Sequence, residues 1–496
     1  MARTTLADQQ RLVTAIGLPI VETHISYVLL GGAFAYKIKK AIDLDFLDFT
    51  TLDSRRFYCG EELRLNQRLA PSLYLAVVPI SGTMDAPVLD GKGPPIEYAV
   101  KMRQFDQEGL LSRVLARGEL TPERVDEIAA AVAAFHARTA RAAPDAPYGR
   151  PTSVMRPVRE NFIQMRTAVT NAADRACLDR LLTWTEAEAT RLAATFDRRN
   201  REGFVRECHG DLHLGNIALV DGRATLFDCI EFSPAMRWID VMSDVGFLVM
   251  DLRDHCRPGL AARLLNAYLE ITGDYAGLDL LRFYVIYRAL VRAKIACLRL
   301  AQPMDDDART RLVDEYRTYL AFASAETSPA HRGIVITHGV AGSGKSTRAQ
   351  EIVESAGAVR IRSDVERKRL AGLGAGARTG ALLDGIESGL YTPESSRETY
   401  DRLAALARDI VSAGYTVVVD AAFLRRWQRD LLRTTATELH VPFAIADCSA
   451  PEPVLRARIA GRIEAGRDAS EATIEVLEYQ LATADPLSPD ELALRR

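Results

Sequence analysis

Residues 209–228, HGDLHLGNIALVDGRATLFD, decide the fold of the larger part of this chain. They predict a loop, a short apolar strand over 217–220, an Asp221-Gly222 turn and a second strand ending in Asp228. A two-residue Asp-Gly step between apolar runs is a good hairpin signal. Such a hairpin holds Asp211, Asn216 and Asp228 near one another. That set suits phosphoryl transfer: one carboxylate accepts a hydroxyl proton, while an amide and a second carboxylate hold magnesium against the nucleotide's phosphates. The plainer reading is a surface hairpin whose Asp and Asn only serve turns. His209-Gly-Asp211 before the strand and Phe227-Asp228 after it favour catalysis.

Upstream, residues 24–38 predict two strands around the Gly31-Gly32 turn. In the second, Phe34-Ala35-Tyr36-Lys37 has the form of a strand whose lysine reaches nucleotide phosphates. Alternation puts Ala35, Lys37 and Lys39 on one face, so Ala35 can floor an adenine pocket while Lys37 extends, with Lys39 as the fallback. The bland alternative has both lysines solvating an edge strand. A helix expected over 54–69, stopped by Pro71, carries Glu61 and Glu62; either could pair with the lysine, and Glu61 is taken as the first choice. Strands follow around 73–80 and 96–102, and the step from Met102 to Phe105 is where a hinge contacting adenine would sit. From Thr121-Pro122-Glu123, a capped helix start, the pattern turns helical and stays so to about residue 200, with His136 as an end-of-helix side chain.

Beyond the hairpin, Asp240 and Asp244 are expected on one helix face, one of them bracing the catalytic loop through its backbone. Glu231, Asp240 and Asp244 are open to two readings, a wall for a cationic acceptor or scaffolding of the loop. Residues 259–322 look wholly helical, with solvation or local ion pairs as the expected roles of Arg282, Arg288 and Arg292.

This half resembles the aminoglycoside phosphotransferase family, on the strength of His209-Gly-Asp211-Leu-His213-x-x-Asn216 followed by Phe227-Asp228. The resemblance spans about residues 20–320 and implies a kinase-like fold, with Asp211 as catalytic base and Asn216 and Asp228 as magnesium ligands. It does not carry an aminoglycoside substrate with it. The glycine-rich loop that covers nucleotide phosphates has no counterpart before Gly31.

A small, polar stretch at 321–332 predicts a linker. After it, a buried strand over 333–338 leads into Gly339-Val-Ala-Gly342-Ser343-Gly344-Lys345-Ser346-Thr347, a complete P-loop. Its glycines let backbone amides wrap phosphates, and the amide-rich start of the next helix favours negative charge. Lys345 would reach the outer phosphates and Ser346 would ligate magnesium. Asp364, placed at the end of a strand over 358–361, could accept a proton from an attacking hydroxyl, with Arg367 holding an anionic group; a helix N-cap is the alternative. Asp420 ends another strand and could orient magnesium through water or contact substrate. Arg456, Arg458, Arg462 and Arg467, before a capping-box pattern at 468–471, make a candidate lid; Arg458 and Arg462 are assigned to the nucleotide. Residues 371–386, rich in Gly and Ala, predict a mobile substrate-side segment.

This second half resembles small P-loop kinases of hydroxyls, such as gluconate kinase, the zeta toxins and the kinase part of polynucleotide kinase, with Ser363-Asp364-x-x-Arg367 similar to the base-and-arginine pattern of the last group. The order of the halves, with Tyr391-Thr-Pro-Glu and Asp420-Ala-Ala-Phe-Leu-Arg-Arg, resembles bacterial bifunctional aminoglycoside phosphotransferase/ATP-binding proteins.

Composition agrees. The 496 residues exceed one ordinary core, and 48% hydrophobic with 26% charged residues is a soluble globular balance. A net charge of -3 argues against a general nucleic-acid or membrane-surface binder, and no apolar run is long enough for a bilayer. Seven scattered cysteines look like buried thiols of a reducing compartment, so a cytoplasmic location is expected. The expected architecture is an α+β kinase-like domain (β-rich N-lobe 1–105, helical C-lobe 106–322), a linker at 323–332 and an α/β P-loop domain with a parallel sheet at 333–496. The expected activity is ATP- and magnesium-dependent transfer to a small-molecule hydroxyl at two sites. Alternatives are one catalytic domain with an ATP-dependent regulatory module, an ATP-driven switch with no phosphorylated metabolite, or a kinase of nucleic-acid ends.

Overall fold

The computed structural model describes residues 4–44, 47–300, 302, 304–328, 331–374, 377, 392–465 and 473–496. Arg467, Tyr391, most of the segment 371–386, the pattern at 468–471 and the side chain of Arg462 lie outside the described residues. Two compact units result: Met1–Arg124, Ala134–Ile163 and Ala189–Asp251 form the first, and Val125–Ala133, Gln164–Glu188 and Leu252–Arg496 the second.

The first unit holds a six-stranded antiparallel sheet in the order Ile20–Glu22, Ser26–Gly31, Phe34–Lys39, Glu97–Arg103, Tyr74–Thr83, Ala86–Leu89. The outermost two, Ile20–Glu22 and Ala86–Leu89, are short, and neither is foreseen by the strand patterns. Alternation along Phe34–Lys39 sorts the two faces. Ile38 joins Leu12, Val13, Tyr27, Leu29, Val78, Ile80 and Ala99 in one apolar cluster, over which the helix Leu6–Ile16 contributes two residues. Ala35 faces the other way, into a cluster with Cys59, Leu73, Tyr74, Val100 and Met102 that also takes Ala218 and Val220 from the hairpin. Lys37 and Lys39 share the side of Ala35, and the helix Leu52–Asn66, capped by Thr51, lies there; it starts and ends earlier than the expected 54–69.

The hairpin forms as Ile217–Val220 paired with Arg223–Leu226, with Asp221 at φ 51° and Gly222 at φ 75° in the turn. Both turn residues are left-handed, the geometry that matches strand twist. The second strand stops at Leu226, two residues before Asp228. Asp240 is not on a helix: it ends the short strand Trp238–Asp240, pairs with buried Arg199, and the helix Val241–Asp254 begins after it. A shared helix face with Asp244 is therefore corrected.

In the second unit the stretch 259–322, expected to be wholly helical, is helical in three pieces with two breaks. Pro258–Thr272 ends on Gly273 at φ 72°, a left-handed cap, and Leu278–Arg299 and Asp306–Glu326 follow. The last helix runs to Glu326, so residues 321–326 are helical although they fall in the stretch expected as a linker. Then comes a four-stranded parallel sheet in the order Val359–Arg362, Thr416–Asp420, Gly333–His338, Phe443–Asp447. Its strands read as near-continuous apolar runs because helices cover both faces. Parallel pairing brings the carboxyl ends of all four to one edge, where Arg362 lies opposite Asp420 and His338 opposite Asp447. Ligands of such sheets bind beyond that edge. The fold is thus a kinase-like domain followed by a P-loop domain. Among the described residues no helix is long and apolar enough to cross a membrane. All seven cysteines are free; Cys59, Cys208, Cys229 and Cys297 are buried, but Cys256 is exposed.

Candidate active sites

The loop before the hairpin is built by backbone hydrogen bonds to one carboxylate. Asp244 accepts from His209 N at 2.8 Å and Gly210 N at 2.9 Å. Gly210 has φ 87°, and a Cβ there would lie 2.8 Å from the Met236 carbonyl, so no side chain fits. His209 is fully buried; its Nε2 lies 2.8 Å from the Phe227 carbonyl, which can only accept. Burial pushes the imidazole below its ordinary pKa. The neutral ring therefore carries its proton on Nε2, leaving Nδ1 to accept from Asp211 N at 3.3 Å. Leu214 N donates to Asp251 at 2.8 Å, and His213 caps the following turn through Gly215 N while packing on Phe247.

Asp211 and Asn216 meet directly. Asn216 Nδ2 donates to the Asp211 carbonyl at 2.9 Å and to its Oδ2 at 3.0 Å, which commits the amide nitrogen to Asp211 and makes Oδ1 the atom that could serve a metal. Phe227 N donates to the Asn216 carbonyl at 3.0 Å, so the hairpin's register sets Asn216 beside the residue preceding Asp228. Asp228 adopts φ 66°, a conformation uncommon for residues with a side chain and one that clusters at functional sites. Asn216 and Asp228 offer hard oxygen atoms, the donor type that magnesium takes.

Lys37 closes the constellation. Its Nζ is 2.5 Å from Asp228 Oδ1 and 2.8 Å from Glu62 Oε1. Burial disfavours the ammonium, but Asp228 and Glu62 outweigh it and hold its pKa well above the ordinary lysine value. The partner is Glu62, not Glu61: Glu61 turns to Arg64 and Arg237. Glu62 gives its other oxygen to Lys39 at 2.6 Å, and Lys39 also pairs with Glu231. A row Asp228–Lys37–Glu62–Lys39–Glu231 results, buried except at Asp228, which is half-buried. Glu231 and Asp244 thus serve scaffolding. Glu231 was legible as an acidic residue, but nothing local marks its partner 192 positions away.

Burial alone would raise the Glu62 carboxyl, yet Lys37 and Lys39 bring it down to about 2 from 4.5. A depressed carboxyl contributes stability that is fully present above its unfolded value and is lost as pH falls through the folded value. The stability gap between wild type and Glu62→Gln should therefore be constant above about pH 4.5 and narrow towards pH 2. Urea unfolding at a series of pH values checks this; a gap that ignores pH across that window contradicts the ionised cluster. Breaking such a pair typically costs about 3–5 kcal/mol at neutral pH.

Met102 lies opposite Ala35 in the sheet, and both are buried in the apolar cluster that the hairpin completes. Phe227 and Phe105 pack at that cluster's margin with ring centroids 5.3 Å apart.

The P-loop has its own geometry. Gly339, Gly342 and Gly344 take φ of 141°, 78° and 97°. A Cβ on Gly339 would lie 2.2 Å from the Cys448 carbonyl, and one on Gly342 would lie 2.8 Å from the Leu455 carbonyl. The loop is thus a backbone cradle that side chains would fill. Lys345, Ser346 and Thr347 open the helix Lys345–Ala356. Lys345 Nζ donates to the Val340 carbonyl at 2.8 Å, across the loop. Ser343 Oγ is buried without a hydrogen-bond partner among the described residues. Arg458 reaches the Gly342 carbonyl at 3.2 Å, whereas Arg456 pairs with Glu452 and Glu478. Gln480, which the motif reading missed, accepts from Ala341 N at 2.7 Å.

Asp364 does not end a strand. The strand stops at Arg362, and Asp364 is the second residue of the helix Ser363–Leu370, 3.4 Å from Arg367 Nη1. It makes no cap to that helix. Asp420 is buried at its strand's end, and its Oδ2 has no hydrogen bond among the described residues; Arg362 Nε stands 3.7 Å away. An oxygen ligand left open near Ser346's helix is consistent with a hydrated magnesium ion.

Comparison with known proteins matches two stretches of the chain to families. A family model described as the phosphotransferase enzyme family matches residues 59–281, and one described as an AAA domain matches residues 334–487. Uncharacterized proteins of Mycobacterium tuberculosis and Mycobacterium bovis are 31% identical over 468 residues, covering 94% of this chain and 91% of theirs. Among solved structures, an ethanolamine kinase of Plasmodium vivax has 10% identity and a TM-score of 0.40 over 63% of this chain and 82% of its own. An aminoglycoside phosphotransferase of Alicyclobacillus acidocaldarius has 14% identity and a TM-score of 0.35 over 64% and 93%. The chain is a kinase-type phosphotransferase in which the phosphotransferase-family match precedes the AAA-domain match, and it belongs to the family of those mycobacterial proteins.

Proposed function

We propose that this protein is an ATP- and magnesium-dependent kinase with two sites, each moving the γ-phosphate of ATP to a hydroxyl of a small molecule. The observation that carries the reading is the meeting of buried Lys37 and Glu62 with half-buried Asp228 at the hairpin that also joins Asp211 to Asn216. A P-loop in the second unit, complete in its residues and its backbone cradle, supports the second site.

At the first site Ala35 and Met102 face the adenine, and Lys37, steadied by Glu62, donates to the phosphates. Asp211, held by Asn216 and its loop amides, takes the proton from the acceptor hydroxyl as that oxygen bonds to phosphorus and ADP leaves. Magnesium, held by Asn216 and Asp228, would neutralise charge on the phosphate oxygens. At the second site the Gly339–Thr347 amides wrap the phosphates, Lys345 leaves the Val340 carbonyl for the outer phosphates, and Ser346 and Asp420 serve the metal. Asp364 takes the acceptor proton and Arg367 steadies the acceptor; Arg458 flanks the loop.

The test is γ-labelled ATP offered with a library of hydroxyl metabolites to wild type, Asp211→Asn and Lys345→Ala. Two products, each lost in one variant, support two kinases. A single product lost equally in both would replace this reading with one coupled reaction, and nucleotide-driven structural change without any labelled metabolite would replace it with a switch.

A further inference from the structure

Inside the second unit, the helix Pro258–Thr272 presents one face to the P-loop sheet. Gly259, Arg263, Asn266 and Glu270 follow the spacing that aligns side chains along a helix. Each makes a different contact. A Cβ on Gly259 would sit 3.1 Å from the Glu354 carbonyl, so the helices approach closely there. Arg263 reaches Glu354 at 2.9 Å and Asp126 at 2.6 Å. Asn266 is buried and treats the edge strand Val359–Arg362 as a neighbouring strand would: Nδ2 donates to the Ala358 carbonyl at 2.9 Å, and Oδ1 accepts from Arg360 N at 2.6 Å. Glu270 takes Arg360 Nη2 on one oxygen and Arg362 Nη1 on the other, both at 3.1 Å. Its carbonyl also accepts from Arg369 at 2.8 Å.

Among its described contacts, Arg362 has a carboxylate on either side. Glu270 holds a terminal nitrogen, while Nε faces Asp420 Oδ2 at 3.7 Å, beyond hydrogen-bond reach. That oxygen is buried and makes no hydrogen bond among the described residues. An arginine beside a buried carboxylate ordinarily closes on it through two parallel bonds. Here the pull of Glu270 opposes that closure.

We propose that Glu270, contributed by the stretch that matches the phosphotransferase family, is a positioning residue for the P-loop site: it restrains Arg362 and so keeps Asp420 available to the water shell of nucleotide-bound magnesium. This rests on the reading of Asp420 as a magnesium-serving residue. The stretch matched by the phosphotransferase family thereby takes part in the P-loop site's chemistry through one ion pair, with no atom of Glu270 touching substrate. Without Glu270, Arg362 closes on Asp420 and competes with the metal.

The test is calorimetry of ADP binding to the full chain at increasing magnesium, following the component that Lys345→Ala removes. In Glu270→Ala, the magnesium concentration at half-effect should rise about tenfold, the size of one bidentate charged pair, while magnesium-free ADP binding stays unchanged. Glu270→Ala/Arg362→Gln should return it to near the wild-type value, because no guanidinium remains to close. Loss of packing alone would leave the double variant at least as impaired as the single one. An unshifted midpoint in Glu270→Ala, or an unrescued double variant, overturns the proposal. If Asp420→Asn itself leaves the magnesium dependence intact, the reading of Asp420 has failed instead.

Discussion

Asp211→Asn should lower kcat for the first product by about 10²–10⁴ while the KM for ATP moves little. The asparagine oxygen still accepts the Asn216 amide that now bonds Asp211 Oδ2, so the loop's geometry survives. What disappears is a group able to take the acceptor's proton. In the proposed function nucleotide binding falls to other residues: Lys37, held between Glu62 and Asp228, and the apolar cluster that contains Ala35 and Met102. Steady-state kinetics, with the melting temperature as a control for folding, check this. A fall in kcat of less than tenfold would remove Asp211 from the role of base.

Lys345→Ala should abolish the second product and weaken nucleotide binding at the P-loop by about a hundredfold, the usual order for deleting a charge that pairs with a buried opposite charge. The lysine donates to the carbonyl of Val340 in its own loop, and the melting temperature of the variant serves as the control for folding. The glycine cradle remains, and residual binding through backbone amides should persist. Formation of the first product should continue at the wild-type rate. Equal loss of both products would mean that one nucleotide serves both chemistries.

Elements whose signal is local were the legible ones. The Asp221-Gly222 turn needs two left-handed residues and has them, and the P-loop's glycines stand where carbonyls of Cys448 and Leu455 leave no room for a side chain. Strand alternation was enough to put Ala35, Lys37 and Lys39 on one face. Helix rotation was harder. Glu61 and Glu62 are neighbours, and the choice depends on which side of Leu52–Asn66 meets the sheet. The buried side is Arg55, Cys59, Glu62, Leu65 and Asn66, a mostly polar stripe, while Phe57 is exposed. An apolar-face argument points the wrong way there, because the cluster is held by ion pairs rather than by hydrocarbon. The spacing of Arg55, Cys59, Glu62 and Asn66 was the available signal. Asp240 failed for a related reason: its partner Arg199 and the short pairing of Trp238–Asp240 with Val205–Glu207 are tertiary facts that no local pattern encodes.

The same distinction separates Asp211 from Asp364. The first sits in a loop that Asp244, His209 and Asn216 specify through backbone and side-chain bonds. The second is one residue into a helix, with Arg367 at 3.4 Å. Motif order alone does not reveal that difference in pre-organisation, which matters because positioning supplies much of the rate in phosphoryl transfer.

Two separate nucleotide sites are the centre of this account, and counting them is the direct measurement. Titration of the intact protein with a non-hydrolysable ATP analogue and magnesium should give two equivalents bound, falling to one in Lys345→Ala and to the other one in Lys37→Met. A wild-type stoichiometry of one, unchanged by Lys345→Ala, would contradict it.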